Sequence, residues 1–131
     1  MVDIVEVSGQ LIDAYNAKDF DAMATFIAED IDFAHFNRDF NLCNRDALLD
    51  VLKQFAQTCV PNRHFEKPER VFAVGDKVVR EAYYVGTAAI DLPGFGAAGD
   101  AFRLKFCSVM RFSDDGMLLE WKDLCLVVKS A

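Results

Sequence analysis

At Pro61 the rhythm of the apolar residues changes, and this switch constrains the fold more than any other feature of the chain. Upstream, Ile4, Val5, Ser8, Leu11, Ile12 and Tyr15 fall on one stripe of residues 3 to 17, the spacing of a helix that buries one side. Asp19 stands where an N-cap would open a second helix, Phe20 to Ala28, with Phe20, Met23, Ala24 and Ile27 inward. A short strand is expected over residues 30–36, with Ile31, Phe33 and His35 on one side. After a polar loop, Asn44 caps a third helix running to about Thr58, with Leu48, Leu52, Phe55, Ala56 and Cys59 as its stripe. Pro61 stops it, because the residue before a proline is pushed out of the helical region.

Downstream the period is two, so successive side chains face opposite ways. Residues 63–74 read as extended, with an edge or bulge at Pro68, and Gly75-Asp76 is a turn. Lys77 to Ala89 and Ala101 to Phe112 are long strands. The glycine-rich loop between them lacks the lysine and following helix of a phosphate loop. Asp115-Gly116 then turns the chain into a last strand. Helices followed by consecutive hairpins predict one α+β domain over residues 1–131, with helices covering one face of a bent antiparallel sheet.

On that last strand, Met117, Leu119, Trp121, Asp123, Cys125 and Val127 alternate onto one face. The face is apolar except for Asp123. A lone carboxylate among apolar neighbours is costly to keep charged, and this marks Asp123 as the first candidate for chemistry. Ser108 is the corresponding polar residue on the preceding strand, among Phe102, Leu104, Phe106 and Met110. The net charge of −7 and the absence of a basic run argue against nucleic acid or an anionic membrane as partner. No apolar run approaches the ~18 residues of a membrane span, and the N-terminus has no leader pattern, so a soluble cytoplasmic protein is expected. Cys43, Cys59, Cys107 and Cys125 show no zinc-type spacing with His35 or His64, and reduced thiols with no metal are expected. Twelve Phe in 131 residues suit either a core wrapped around an apolar cavity or a plain, filled Phe-rich core.

The segments Tyr15-Asn16-Ala17-Lys18-Asp19-Phe20-Asp21, Phe26 to Phe33, and Met110 to Asp123 resemble motifs of the nuclear transport factor 2-like superfamily, and within it the SnoaL-like polyketide cyclases and ketosteroid isomerase-like proteins. The resemblance implies a cone-shaped sheet with three helices closing an apolar pocket, often as a homodimer through the outer sheet face. In limonene epoxide hydrolases of this superfamily, the last-strand Asp matches Asp123, while the first-strand Tyr and Asn match Phe33 and His35. Their Arg-x-Asp is replaced by Arg80-Glu81-Ala82, without the second Asp. In ketosteroid isomerases the first-strand Asp falls near His35 and the oxyanion-binding Asp near Ser108. The SnoaL-type cyclases use a His and an Asp, and Asp123 is similar to that Asp.

These readings make Asp123 and His35 a candidate acid–base pair, since imidazole exchanges protons near neutral pH and a buried carboxylate can share the load. Trp121, Phe33, Tyr84, Phe106 and Met110 are candidates to line a pocket, with Ser108 donating a hydrogen bond to the ligand. The expected function is cofactor-free acid–base chemistry on an apolar small molecule. A binding protein without catalysis and a dimerisation or adaptor module are the alternatives.

Overall fold

Three polar side chains open the three helices of this computed structural model, which describes residues 2–125. The Asp3 carboxylate accepts from the Val5 and Glu6 amides and starts α1 (Ile4–Asn16). Asp19 accepts from Ala22 N–H to start α2 (Phe20–Phe26), and Asn44 accepts from Ala47 N–H to start α3 (Arg45–Gln54). Each satisfies an amide that the first helical turn leaves without a partner. The third helix ends earlier than its stripe suggests, passing into one wider π turn, Phe55–Cys59. The second helix gives way at Ile27, three residues before the expected strand start, because Ile27 already pairs with Leu118 on the last strand.

The strands are β1 (Ile27–His35), β2 (Phe40–Leu42), β3 (His64–Phe65), β4 (Arg70–Val74), β5 (Lys77–Thr87), β6 (Ala101–Phe112) and β7 (Leu118–Cys125). They form one curved, cone-like sheet in the order β2-β1-β7-β6-β5-β3, with β4 also on β5. The sheet does not close. Its backbone is the long β5–β6 pairing, from Lys77↔Arg111 to Thr87↔Ala101. The sheet is mixed rather than purely antiparallel, since β1 runs parallel to β7. That pairing lies between the two ends of the chain and places His35 beside Asp123 as register partners.

The face of β7 needs one correction. A bulge between Arg111 and Phe112 pairs Arg111 with Glu120 but Phe112 with Leu118. An extra residue in one strand reverses the facing of everything before it. Leu118, not Met117 or Leu119, is therefore the buried residue at the start of β7, while Trp121, Asp123 and Cys125 keep the expected inward facing. Val127 lies outside the described residues. Where β5 leaves the sheet, Gly86 is required for close approach: a Cβ there would collide with the Val60 side chain and lie 3.1 Å from the Phe102 ring. The helices pack on the concave face, burying Leu11, Met23, Ile27, Ile31, Leu48, Met110 and Leu118 completely. No helix among the described residues is long and apolar enough to cross a membrane.

Candidate functional site

Between the concave sheet face and α3, packing is incomplete and leaves a cavity of about 290 Å³. Phe33, Phe55, Phe65, Phe95 and Phe106 supply most of its apolar wall, with Tyr15, His35, Tyr84, Trp121 and Asp123 as its inner polar or amphipathic groups. The rings are positioned against one another. Trp121 meets Phe33 edge-on at 5.5 Å, Tyr84 lies 5.0 Å from Phe106, and Phe65 lies 4.7 Å from Tyr84. Edge-to-face and tilted pairs at these separations fix ring orientation beyond what area burial does.

Asp123 is 4% exposed, and its Oδ1 accepts a hydrogen bond from Trp121 Nε1 at 2.8 Å. Burial pushes its carboxyl from the ordinary 3.8 up to about 7, and hydrogen bonding from Ser108 and Trp121 opposes only part of this rise. No cation among the described residues pairs with it. Arg80, a possible partner by proximity in the sheet, donates to Ser8 Oγ at 3.0 Å instead. His35 stands beside Asp123 on β1 with its ring edge-on to Phe106 at 5.3 Å, and neither ring nitrogen has a hydrogen-bond partner among the described residues. The two groups thus share a wall without bonding to each other. Burial, and then the charge of Arg38, lowers the imidazole pKa, which keeps His35 neutral around pH 7.

Tyr15, which lines the cavity, and Arg63, which packs behind it, were not singled out as site residues from the sequence. Tyr15 of α1 and Tyr84 of β5 touch through their hydroxyls at 2.7 Å, both lining the cavity. Burial raises the Tyr15 phenol to about 12 and Tyr84 well above its ordinary value, so both keep their protons. Arg63, only 2% exposed, lies 3.6 Å over the Tyr15 ring and donates from Nη1 to the Tyr15 carbonyl at 2.6 Å. Its Nε and Nη2 have no partner among the described residues. The signal for Tyr15 was present: a tyrosine on a mostly apolar helical stripe needs a partner for its hydroxyl. For Arg63 there was none, because its burial depends on a ring brought in from α1.

Residues 9–121 match the model of the SnoaL-like domain family. The chain belongs to that family. Solved structures share the fold at low identity. A candidate polyketide cyclase from Xanthomonas campestris is 21% identical, with 92% of this chain and 88% of that chain covered at a TM-score of 0.78. A candidate SnoaL-like polyketide cyclase from Shewanella denitrificans is 19% identical, covering 92% and 88% at a TM-score of 0.77. An epoxide hydrolase of M. tuberculosis, of the LEH-like type, is 18% identical, covering 95% and 83% at a TM-score of 0.74. No curated protein matches the chain.

In this SnoaL-like cavity, Asp123, His35, Trp121, Phe33, Tyr84 and Phe106 all reach the wall. Tyr84, not Tyr83, points inward; Tyr83 lies under the Arg103 guanidinium on the other face. Ser108 and Met110 do not line the cavity. Ser108 is opposite Asp123 in the β6–β7 register, buried behind the carboxylate rather than presented to a ligand. Met110, opposite Trp121, is enclosed in the core. A period of two assigns a face, and how far along that face the helices leave space is a tertiary property.

Proposed function

We propose that this SnoaL-like protein is an acid–base enzyme that moves a proton on an apolar small molecule, in an isomerisation, cyclisation, dehydration or water addition. One observation carries the proposal: a carboxyl group held near pKa 7 by burial sits in the wall of an apolar cavity. A group with that pKa can accept a proton in one step and return it in the next at neutral pH, where an ordinary aspartate is too weak a base. Trp121 Nε1–H holds the carboxylate in place. When one hydroxyl of the Tyr15–Tyr84 pair donates to the other, the acceptor still has its own O–H, which is available to a substrate oxygen as charge develops. Neutral His35 is the second proton-exchanging group, and Phe33, Phe106 and Trp121 contact the apolar body of the substrate. None of these steps calls for a cofactor.

The open cavity supports a small-molecule pocket over an adaptor module. The epoxide-hydrolase arrangement is reproduced only in part. Arg80 is bonded to Ser8, and Glu81 pairs with Arg70 at 3.3 Å, neither lining the cavity. The proposal includes a homodimer through the outer sheet face. Static light scattering tests this by returning twice the 14.7 kDa chain mass or the mass itself.

The catalytic reading is tested with 5-nitrobenzisoxazole, a general reporter of proton abstraction in apolar sites. Wild type is expected to accelerate ring opening, and Asp123→Asn to lose at least about 100-fold of that acceleration while its circular dichroism is unchanged. An equal rate in the two proteins would sink the proposal and leave a binding pocket.

A further inference from the structure

The cavity carries a fixed positive charge that the proton chemistry does not use. Arg38, on the short helical turn Phe36–Arg38 after β1, lines the cavity beside Phe55 and Phe95. Its guanidinium carbon lies 5.1 Å from the Phe95 ring centroid and 6.0 Å from that of Phe55. The side chain is exposed, which places it at the cavity mouth. The chain has 21 acidic and 14 basic residues, yet Arg38 makes no ion pair among the described residues, unlike Arg45, Arg70, Arg103 and Arg111. The one acidic group in the wall, Asp123, is bonded to Trp121. Deeper in, both ring nitrogens of His35, a side chain about nine-tenths buried, have no partner among the described residues. A wall so built has a cationic entrance, an aromatic middle and an unsatisfied polar interior.

We infer that the ligand class is an amphipathic carboxylate: an apolar body in the aromatic section, its carboxylate on Arg38, and an oxygen function reaching the inner polar groups. This rests on the small-molecule reading above and narrows it. A guanidinium flanked by aromatic rings keeps its N–H edge free, and that edge matches a carboxylate two bonds at a time. The cavity of about 290 Å³ is nearly twice the space known to hold a benzene ring, so the body is roughly two rings or ten carbons.

The experiment titrates the full chain with decanoate and with decan-1-ol at about pH 6. The acid is then ionised and Asp123 is largely protonated. Binding is read from the emission of Trp121, the only tryptophan. Wild type is expected to bind decanoate roughly fivefold tighter than the alcohol, the range of a partly exposed ion pair. The preference fades at about 1 M salt. Arg38→Gln loses the preference but keeps its affinity for the alcohol, which shows that the pocket is intact, and Arg38→Lys keeps part of it. Equal affinities in wild type, or a preference that survives Arg38→Gln, overturn the inference and leave the pocket reading standing. Absence of saturable binding of either compound overturns the pocket reading and this inference with it.

Discussion

Replacing Asp123 by Asn should invert the usual effect of mutating a buried polar residue, and the inversion should depend on pH. The Asp123 carboxyl has an ordinary value of 3.8 and is raised by burial to about 7 in the folded protein. An acid whose folded pKa lies above its unfolded one contributes stability that is complete below pH 3.8 and is lost as pH rises to about 7. Within that window the folded protein retains a proton that the unfolded chain has released. The gap of about 3 pH units, at about 1.4 kcal/mol each, makes the full loss about 4 kcal/mol. About 3 kcal/mol of it falls between pH 5 and 8. Asn does not ionise, and its side-chain oxygen can still accept from Trp121 Nε1. The variant should therefore lie within about 1 kcal/mol of wild type at pH 5 and be clearly more stable at pH 8. Urea unfolding of both proteins at pH 5, 6, 7 and 8 measures this, since groups common to both cancel in the difference. A difference that stays constant across the series, or a variant that weakens relative to wild type as pH rises, would refute the reasoning.

Other perturbations test separate parts of the account. Trp121→Phe removes the Nε1–H that opposes the rise in the Asp123 pKa, so the pH dependence just described should move to higher pH. Leu118→Ala should cost about 2–5 kcal/mol in urea unfolding, because Leu118 is fully buried, while Leu119→Ala costs under about 1 kcal/mol; similar costs would contradict the bulged register. Gly86→Ala should destabilise by about 1–3 kcal/mol through the clash with Val60 and Phe102, and a neutral result would mean that this corner can open.

The parts of the fold carried by local patterns were legible in the sequence. Asp19 and Asn44 act as N-caps because capping needs only a side-chain oxygen and the next few amides. Trp121 and Asp123 were placed on the correct face by alternation alone, whereas alternation says only that one of Tyr83 and Tyr84 points inward, and the structure makes it Tyr84. The residues that were misread depend on distant pairing. The bulge that turns Leu118 inward exists only because Phe112 and Arg111 hold β7 from the neighbouring strand. The parallel contact of β1 with β7, which sets His35 beside Asp123, joins segments almost ninety residues apart. Arg63 opened what read as an extended stretch, and its burial depends on the Tyr15 ring that covers it. Arg38 lay in what read as a polar loop, and its place at the cavity depends on Phe55 and Phe95 arriving from two other segments. Ser108 and Met110 share the right face and still miss the cavity, since alternation does not say where along a strand the packing leaves space.

The central claim is that Asp123 is a near-neutral acid belonging to the cavity, and the carboxyl-carbon resonance of Asp123 followed by NMR against pH tests it most directly. The account predicts a midpoint near 7 that rises further when decan-1-ol fills the cavity, because an apolar occupant deepens the desolvation that raised it. A midpoint near 4, or one unmoved by the occupant, would contradict it.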